Sequence, residues 1–110
     1  MEEEIKLLHT KIGKGLADPK RILILYLLSK NSMTVNELAE TLNIPQPTVS
    51  HHLKILRDRG MVLAERKGTT ACYSLTDPRV IEALDLLRVI LADQLAKQTT
   101  IMDITYNSVY

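Results

Sequence analysis

Residues 34–60 read TVNELAETLNIPQPTVSHHLKILRDRG, and this stretch decides the fold. Thr34 offers an N-cap oxygen and Glu37, three residues on, completes a capping-box pattern that opens a helix. Val35, Leu38, Ala39 and Leu42 give that helix its buried stripe. Asn43-Ile44-Pro45 breaks it, and a second helix runs from about Gln46 to Arg59, ended by Gly60. Two short helices joined by a break of three or four residues form a helix-turn-helix pattern over about 34–59. The second helix divides by face. Val49, Leu53 and Leu56 mark its buried side; Ser50, His51, Lys54 and Asp58 lie on or near the other, with Gln46 and Thr48 close to the N-terminus.

On the N-terminal side, Asp18-Pro19 is a helix start: an acceptor at the cap, then a proline whose missing N–H costs nothing at the first helical position. The helix it opens, about 19–30, holds Ile22-Leu23-Ile24-Leu25-Tyr26-Leu27-Leu28 and has no polar face there, which predicts a central position. Before it, about 3–16 carries Ile5, Leu8, Ile12 and Leu16 at helical spacing. On the C-terminal side, Met61–Lys67 and Thr70–Thr76 are short β-branched-rich stretches around Lys67-Gly68-Thr69, a hairpin over about 61–76. Asp77-Pro78 repeats the helix start, and Val80, Leu84, Leu87, Leu91 and Leu95 form one stripe to about residue 98, with Ile81, Leu86 and Ile90 largely outside it. One stripe covers a small domain; the surplus, together with the first helix, predicts a helical interface between two copies. The tail 98–110 has no clear period and receives no assignment.

The chain has 110 residues, one domain's worth, and 45% hydrophobic with 25% charged residues is an ordinary globular mix. Its longest apolar run, Ile22–Leu28, falls far short of the ~20 residues that span a bilayer. The acidic start Met1-Glu2-Glu3-Glu4 is unlike a secretory leader, and one cysteine, Cys72, forms no intrachain disulfide; both fit a cytoplasmic protein. There is no Phe and no Trp, so Leu and Ile fill the core.

Net charge is only +1, but its distribution is uneven. Residues 46–67 hold Lys54, Arg57, Arg59, Arg66 and Lys67 against Asp58 and Glu65. Positive charge therefore collects on one helix and the hairpin after it, as phosphate neutralisation needs. A helix with short polar side chains at its N-terminal end can enter a major groove, where Gln pairs with adenine, Ser and Thr with several partners, and Lys with guanine or phosphate. The plain alternative is a solvated face on a surface helix. His51 and His52 are adjacent, about 100° apart on a helix, and cannot chelate one ion as an i, i+4 pair does. His51 is read as a DNA contact and His52 as a structural hydrogen-bonding residue. If Tyr73 and Leu75 point inward, alternation turns Cys72 outward, where it is either a redox sensor or an inert strand residue. No Gly-rich phosphate loop, glycine-flanked serine or acid/base pair supports catalysis, so no catalytic residue and no cofactor is assigned.

Three runs carry a resemblance. Leu16-Ala17-Asp18-Pro19-Lys20-Arg21-Ile22-Leu23-Ile24-Leu25, Thr48–Val62 and Glu65–Leu75 resemble the helix opening, recognition helix and wing of the ArsR/SmtB family of winged helix-turn-helix repressors, over about residues 5–97. The resemblance implies a mainly α (α+β) winged helix-turn-helix over residues 1–110, of about five helices and a two-stranded wing. It implies a homodimer paired through helices at about 3–16 and 78–98, a palindromic operator in double-stranded DNA, repression, and release by an inducer, often a metal ion. Here the chain departs from the family. Where one of its metal sites has cysteines, this chain has Thr34, Val35 and Asn36; where another has Asp and His on the last helix, no histidine follows His52. Soft metals need thiolate or imidazole, so neither site is expected and the inducer stays open. Pro45 also stands where a capping Ser is common. The expected DNA-binding set is Gln46, Thr48, Ser50, His51, Lys54, Arg66 and Lys67, with Cys72 as a candidate sensor. A protein-interaction module using the last helix and tail is the competing function.

Overall fold

Asp18 lies in extended backbone and its carboxylate accepts the Lys20 N–H at 2.8 Å, so the helix after it begins where the sequence says. The structure is a computed structural model that describes the backbone of residues 1–109 and the side chains of residues 1–98. The chain divides into two compact units, Met1–Pro78 and Arg79–Tyr110.

The first unit opens with α1 (Glu2–Leu7), which continues as a π-helical segment over Leu8–Gly13. Then come α2 (Pro19–Leu28), α3 (Val35–Leu42) and α4 (Gln46–Asp58). In α2, Ile24, Leu25 and Leu28 are buried, but Leu23 is 51% exposed. The expectation of a helix enclosed on every side therefore holds for part of its circumference only. The capping box of α3 is complete: Glu37 N–H donates to Thr34 Oγ1 at 3.1 Å and Thr34 N–H donates to Glu37 Oε1 at 3.0 Å. Asn43 ends α3 in the left-handed region (φ 54°, ψ 49°), with its N–H on Glu40 O and the Ile44 N–H on Ala39 O. Three residues later α4 starts from Pro45, whose carbonyl accepts the Thr48 and Val49 N–H groups and whose side chain offers no cap.

Val49, Leu53 and Leu56 of α4 are fully buried or nearly so, as the facial division predicted. Each contributes roughly 1.5–3 kcal/mol by burial. Gly60 takes φ +73° and the Met61 N–H returns to Leu56 O at 2.9 Å, closing α4. The hairpin follows: β1 (Val62–Lys67) and β2 (Thr70–Leu75) pair antiparallel from Val62↔Leu75 to Lys67↔Thr70. Gly68 at φ +68° allows the two-residue turn between them. Met33, just before α3, adds an isolated antiparallel bridge to Tyr73 that the sequence reading did not foresee. Together these elements make a winged helix-turn-helix.

The second unit is α5 (Arg79–Val109). Leu84 is buried and Val80 and Ile81 are half-buried. The stripe read as core does not persist beyond that: Leu87, Leu91 and Leu95 are 53–59% exposed, about as open as Leu86 and Ile90 outside it. The backbone of the unassigned tail continues the helix to Val109, and its side chains from 99 onward lie outside the described residues. Among the described residues no helix is long and apolar enough to cross a membrane.

Candidate nucleic-acid interface

The outward side of α4 follows from its buried side. With Val49, Leu53 and Leu56 turned inward, helical spacing turns Ser50, Lys54 and Arg57 to one flank and Asp58 beside them. These residues, with Leu53 and Tyr73 of β2, line an open groove of about 390 Å³ between α4 and the hairpin. Ser50, Lys54 and Arg57 are exposed, so hydroxyl, ammonium and guanidinium donors present themselves together, with the Asp58 carboxylate at the margin. Gln46 and His51 are exposed on the first turns of the same helix, and Thr48 is half-buried. The sequence reading left Arg57 out of the site. Its signal was present, since residue 57 lies seven on from Ser50 and three on from Lys54.

Arg66 and Lys67 are exposed at the far end of β1, paired with Ala71 and Thr70 beside the turn. They do not line the groove; they form a separate cationic end of the wing. Cys72 pairs with Glu65 and is a free, half-buried thiol. Its partner Glu65 is exposed while Leu75's partner Val62 is buried, but every residue from Ala71 to Leu75 is half-buried, so Cys72 is less open than a freely exposed thiol.

Behind the groove lies a polar cluster. His52, 6% exposed, sits on the inner side of α4 with its Nδ1 3.2 Å from Arg21 Nη1. Arg21 Nε donates to Gly15 O at 2.8 Å and its Nη2 to Lys14 O at 3.1 Å. The structural role read for His52 is thus filled. Burial holds its imidazole below the usual histidine value; nearby Asp18 opposes this, while Arg21, His51 and Lys20 reinforce it. The Lys20 N–H bond in turn lowers the Asp18 carboxyl. Among the described residues no buried side-chain nitrogen or oxygen lacks a partner.

At the positions where the resemblance would put cysteine ligands, Thr34 Oγ1 is committed to the Glu37 N–H, and Val35 and Asn36 bring neither thiolate nor imidazole. This donor set does not fit a soft metal ion. Among the described residues no three His, Cys, Asp or Glu side chains gather as a metal cluster would.

A family model described as "Bacterial regulatory protein, arsR family" matches residues 18–63. An HTH-type transcriptional regulator of Methanocaldococcus jannaschii is 45% identical over 78 residues, 70% of this chain and 88% of its own. The HTH-type transcriptional repressor SmtB of Mycobacterium tuberculosis is 45% identical over 64 residues, 58% of this chain, which spans only 47% of that repressor. Among solved structures, the homodimeric winged helix-turn-helix DNA-binding domain (fragment 1–100) from Mycobacterium bovis superposes with a TM-score of 0.75 at 28% identity, covering 86% of each chain.

Proposed function

The chain belongs to the arsR family of bacterial regulatory proteins, and from that premise we propose that it acts as a homodimeric repressor on a palindromic duplex operator. It is a DNA-binding regulator and not an enzyme. In this reading residues 1–110 work as one winged-helix domain in the cytoplasm. Ser50 and Lys54, with Gln46, Thr48 and His51 at the leading end of α4, read base edges and adjacent phosphates, while Arg66 and Lys67 grip the backbone beyond. One observation carries it: α4 sets its polar, cationic flank outward beside the wing, the shape and charge of a helix that enters a major groove.

Two copies fit the exposed apolar surface. Leu86, Leu87, Val89, Ile90, Leu91 and Leu95 of α5 are each more than half open, more than a lone small domain carries without a partner surface. A second α5 covers them, and two-fold pairing presents two recognition helices to successive turns of one duplex. The finer reading is that the family's usual metal sets are missing here, because neither position supplies thiolate or imidazole. The releasing signal is then another ligand, oxidation at Cys72, or none.

The test is selection of bound duplex from a random pool, followed by affinity across a salt series. Log affinity falling linearly with log salt, with a slope of about −0.9 per neutralised phosphate, supports the reading. A flat response rejects it. Lys54→Ala with Arg66→Ala separates the alternative: lost DNA affinity in an intact dimer supports the regulator. Unchanged activity in cells favours a module that docks a partner protein on the same α5 surface.

A further inference from the structure

Arg21 joins three pieces of chain that lie apart in sequence. Its Nε and Nη2 hold the carbonyls of Gly15 and Lys14 at the end of the N-terminal helical segment, and its Nη1 reaches His52 Nδ1 on α4. A guanidinium carries donors only. The 3.2 Å contact is therefore a hydrogen bond only while Nδ1 presents its lone pair, with His52 neutral and its proton on Nε2. The Gly15 carbonyl can sit there because that residue has no side chain: a Cβ would stand 2.8 Å from Met61 Sδ. Leu53, the residue after His52, is buried, and Ser50, His51 and Lys54 around it are exposed, so the back of α4 is tied down directly behind its outward flank.

We propose that Arg21 and His52 are positioning residues for DNA binding: the Nη1-to-Nδ1 bond holds α4 in the pose its outward face needs, and protonation of Nδ1 releases it. This rests on the DNA-binding reading of the outward face. Protonation would set an N–H against a guanidinium and replace attraction with like-charge repulsion. The charged groups that act on His52 are Asp18, Lys20 and Arg21, from α2 and its cap, and His51 of α4 itself. Asp18 alone among them favours the imidazolium. Burial and the cationic groups outweigh it, so the tie is closed at neutral pH and opens on acidification.

The experiment compares wild type, His52→Asn, His52→Leu and Arg21→Met for affinity to a selected duplex between pH 8 and pH 5.5. Asn places an oxygen near the Nδ1 position and accepts from Arg21 without titrating. At pH 8, His52→Asn binds within about threefold of wild type, while His52→Leu and Arg21→Met each lose about tenfold. On going to pH 5.5, wild type weakens about threefold or more relative to His52→Asn, as acid protonates the histidine and the asparagine stays neutral. Parallel pH profiles for wild type and His52→Asn, or Leu and Met variants that bind as wild type does, overturn the proposal. Nitrogen NMR of the free wild-type protein stands whether or not the variants fold. The Nε2–H tautomer of His52 at pH 8, with an Arg21 Nη1–H signal lost as His52 protonates, supports the tie; an Nδ1–H tautomer overturns it. If wild type binds no duplex at any pH while NMR shows the tie intact, the DNA-binding reading has failed and the positioning role falls with it, which is a different result from parallel profiles.

Discussion

Met33 and Tyr73 exchange both of their backbone hydrogen bonds, Met33 N–H to Tyr73 O at 3.0 Å and Tyr73 N–H to Met33 O at 2.8 Å. The loop between α2 and α3 is thereby pinned to the edge of β2 that β1 leaves free. Tyr73 is also one wall of the groove beside α4. The position of that wall is thus fixed from both sides of the strand.

Removing one donor tests this. Met33→Pro deletes the Met33 N–H and leaves the half-buried Tyr73 carbonyl without it, which costs about 1 kcal/mol in stability. Amide exchange at Tyr73 rises at the same time, because its own bond belongs to the same bridge. A stable variant with unaltered exchange at Tyr73 means the bridge does not anchor the wing.

The start of α3 is a separate, local matter. Thr34→Ala removes the acceptor of the Glu37 N–H and lowers stability by about 1 kcal/mol, while Thr34→Ser keeps the oxygen and most of the stability. Urea midpoints of the two variants at neutral pH check this. Equal midpoints for Ala and Ser would leave the capping box without a stabilising role.

Arg57 gives a functional prediction that the sequence reading missed. It lines the groove with Lys54, so Arg57→Ala reduces the salt slope of DNA binding by about one phosphate per protomer, as Lys54→Ala does. Asp58→Asn acts in the other direction and tightens binding, since it removes a carboxylate from the phosphate path. An Arg57→Ala protein with the wild-type slope places Arg57 off the DNA.

What the sequence disclosed is what is decided within a few residues. The Thr34–Glu37 box, the helix break at Asn43-Ile44-Pro45, the stop at Gly60 and the turn around Gly68 are chemistry between near neighbours, and each stands where the sequence puts it; the left-handed backbone of Asn43 is what the structure adds. The facial division of α4 is equally local, because helical period alone sorts Val49 and Leu53 from Ser50 and Lys54. The misses are non-local. A single-residue bridge such as Met33–Tyr73 leaves no alternation to detect, and the contact between Arg21 and His52 joins residues 31 apart. Periodicity also shows which side chains of α5 share a face without showing whether anything covers that face, which is why Leu87, Leu91 and Leu95 were read as core. Alternation gives the side on which Cys72 lies and not how far its neighbours cover it, and the structure leaves it half-buried.

Gly15 and Met61 make the close approach that lets the N-terminal segment meet the end of α4. Gly15→Ala puts a methyl group 2.8 Å from Met61 Sδ, so the buried Met61 side chain must move, at a cost of about 1–3 kcal/mol. Met61→Ala destabilises by itself through the cavity it leaves. The informative quantity is the double variant, in which the methyl meets open space and Gly15→Ala costs less than in wild type by about 0.5 kcal/mol or more. Strict additivity in urea denaturation would show that Gly15 is required for some other reason.

Stability should also fall with acid in two separate windows. The His52 imidazole is held below its usual value in the folded chain, so on acidification the unfolded chain takes up its proton first, near pH ~6.5. The unfolded state then binds more protons, and stability declines as pH drops through that value. The decline from this group ends once pH passes the lower folded value. Asp18 has the same sign at a lower pH: its carboxyl is held down by the Lys20 N–H, so its contribution is intact above the ordinary carboxylate range and disappears as pH falls through the folded value. Urea midpoints at successive pH values separate the two. His52→Asn removes the upper decline and keeps the lower one, and Asp18→Asn does the reverse. Were the upper decline to survive in His52→Asn, the buried histidine would not be its source, and the neutral form assigned to it would lose its thermodynamic support.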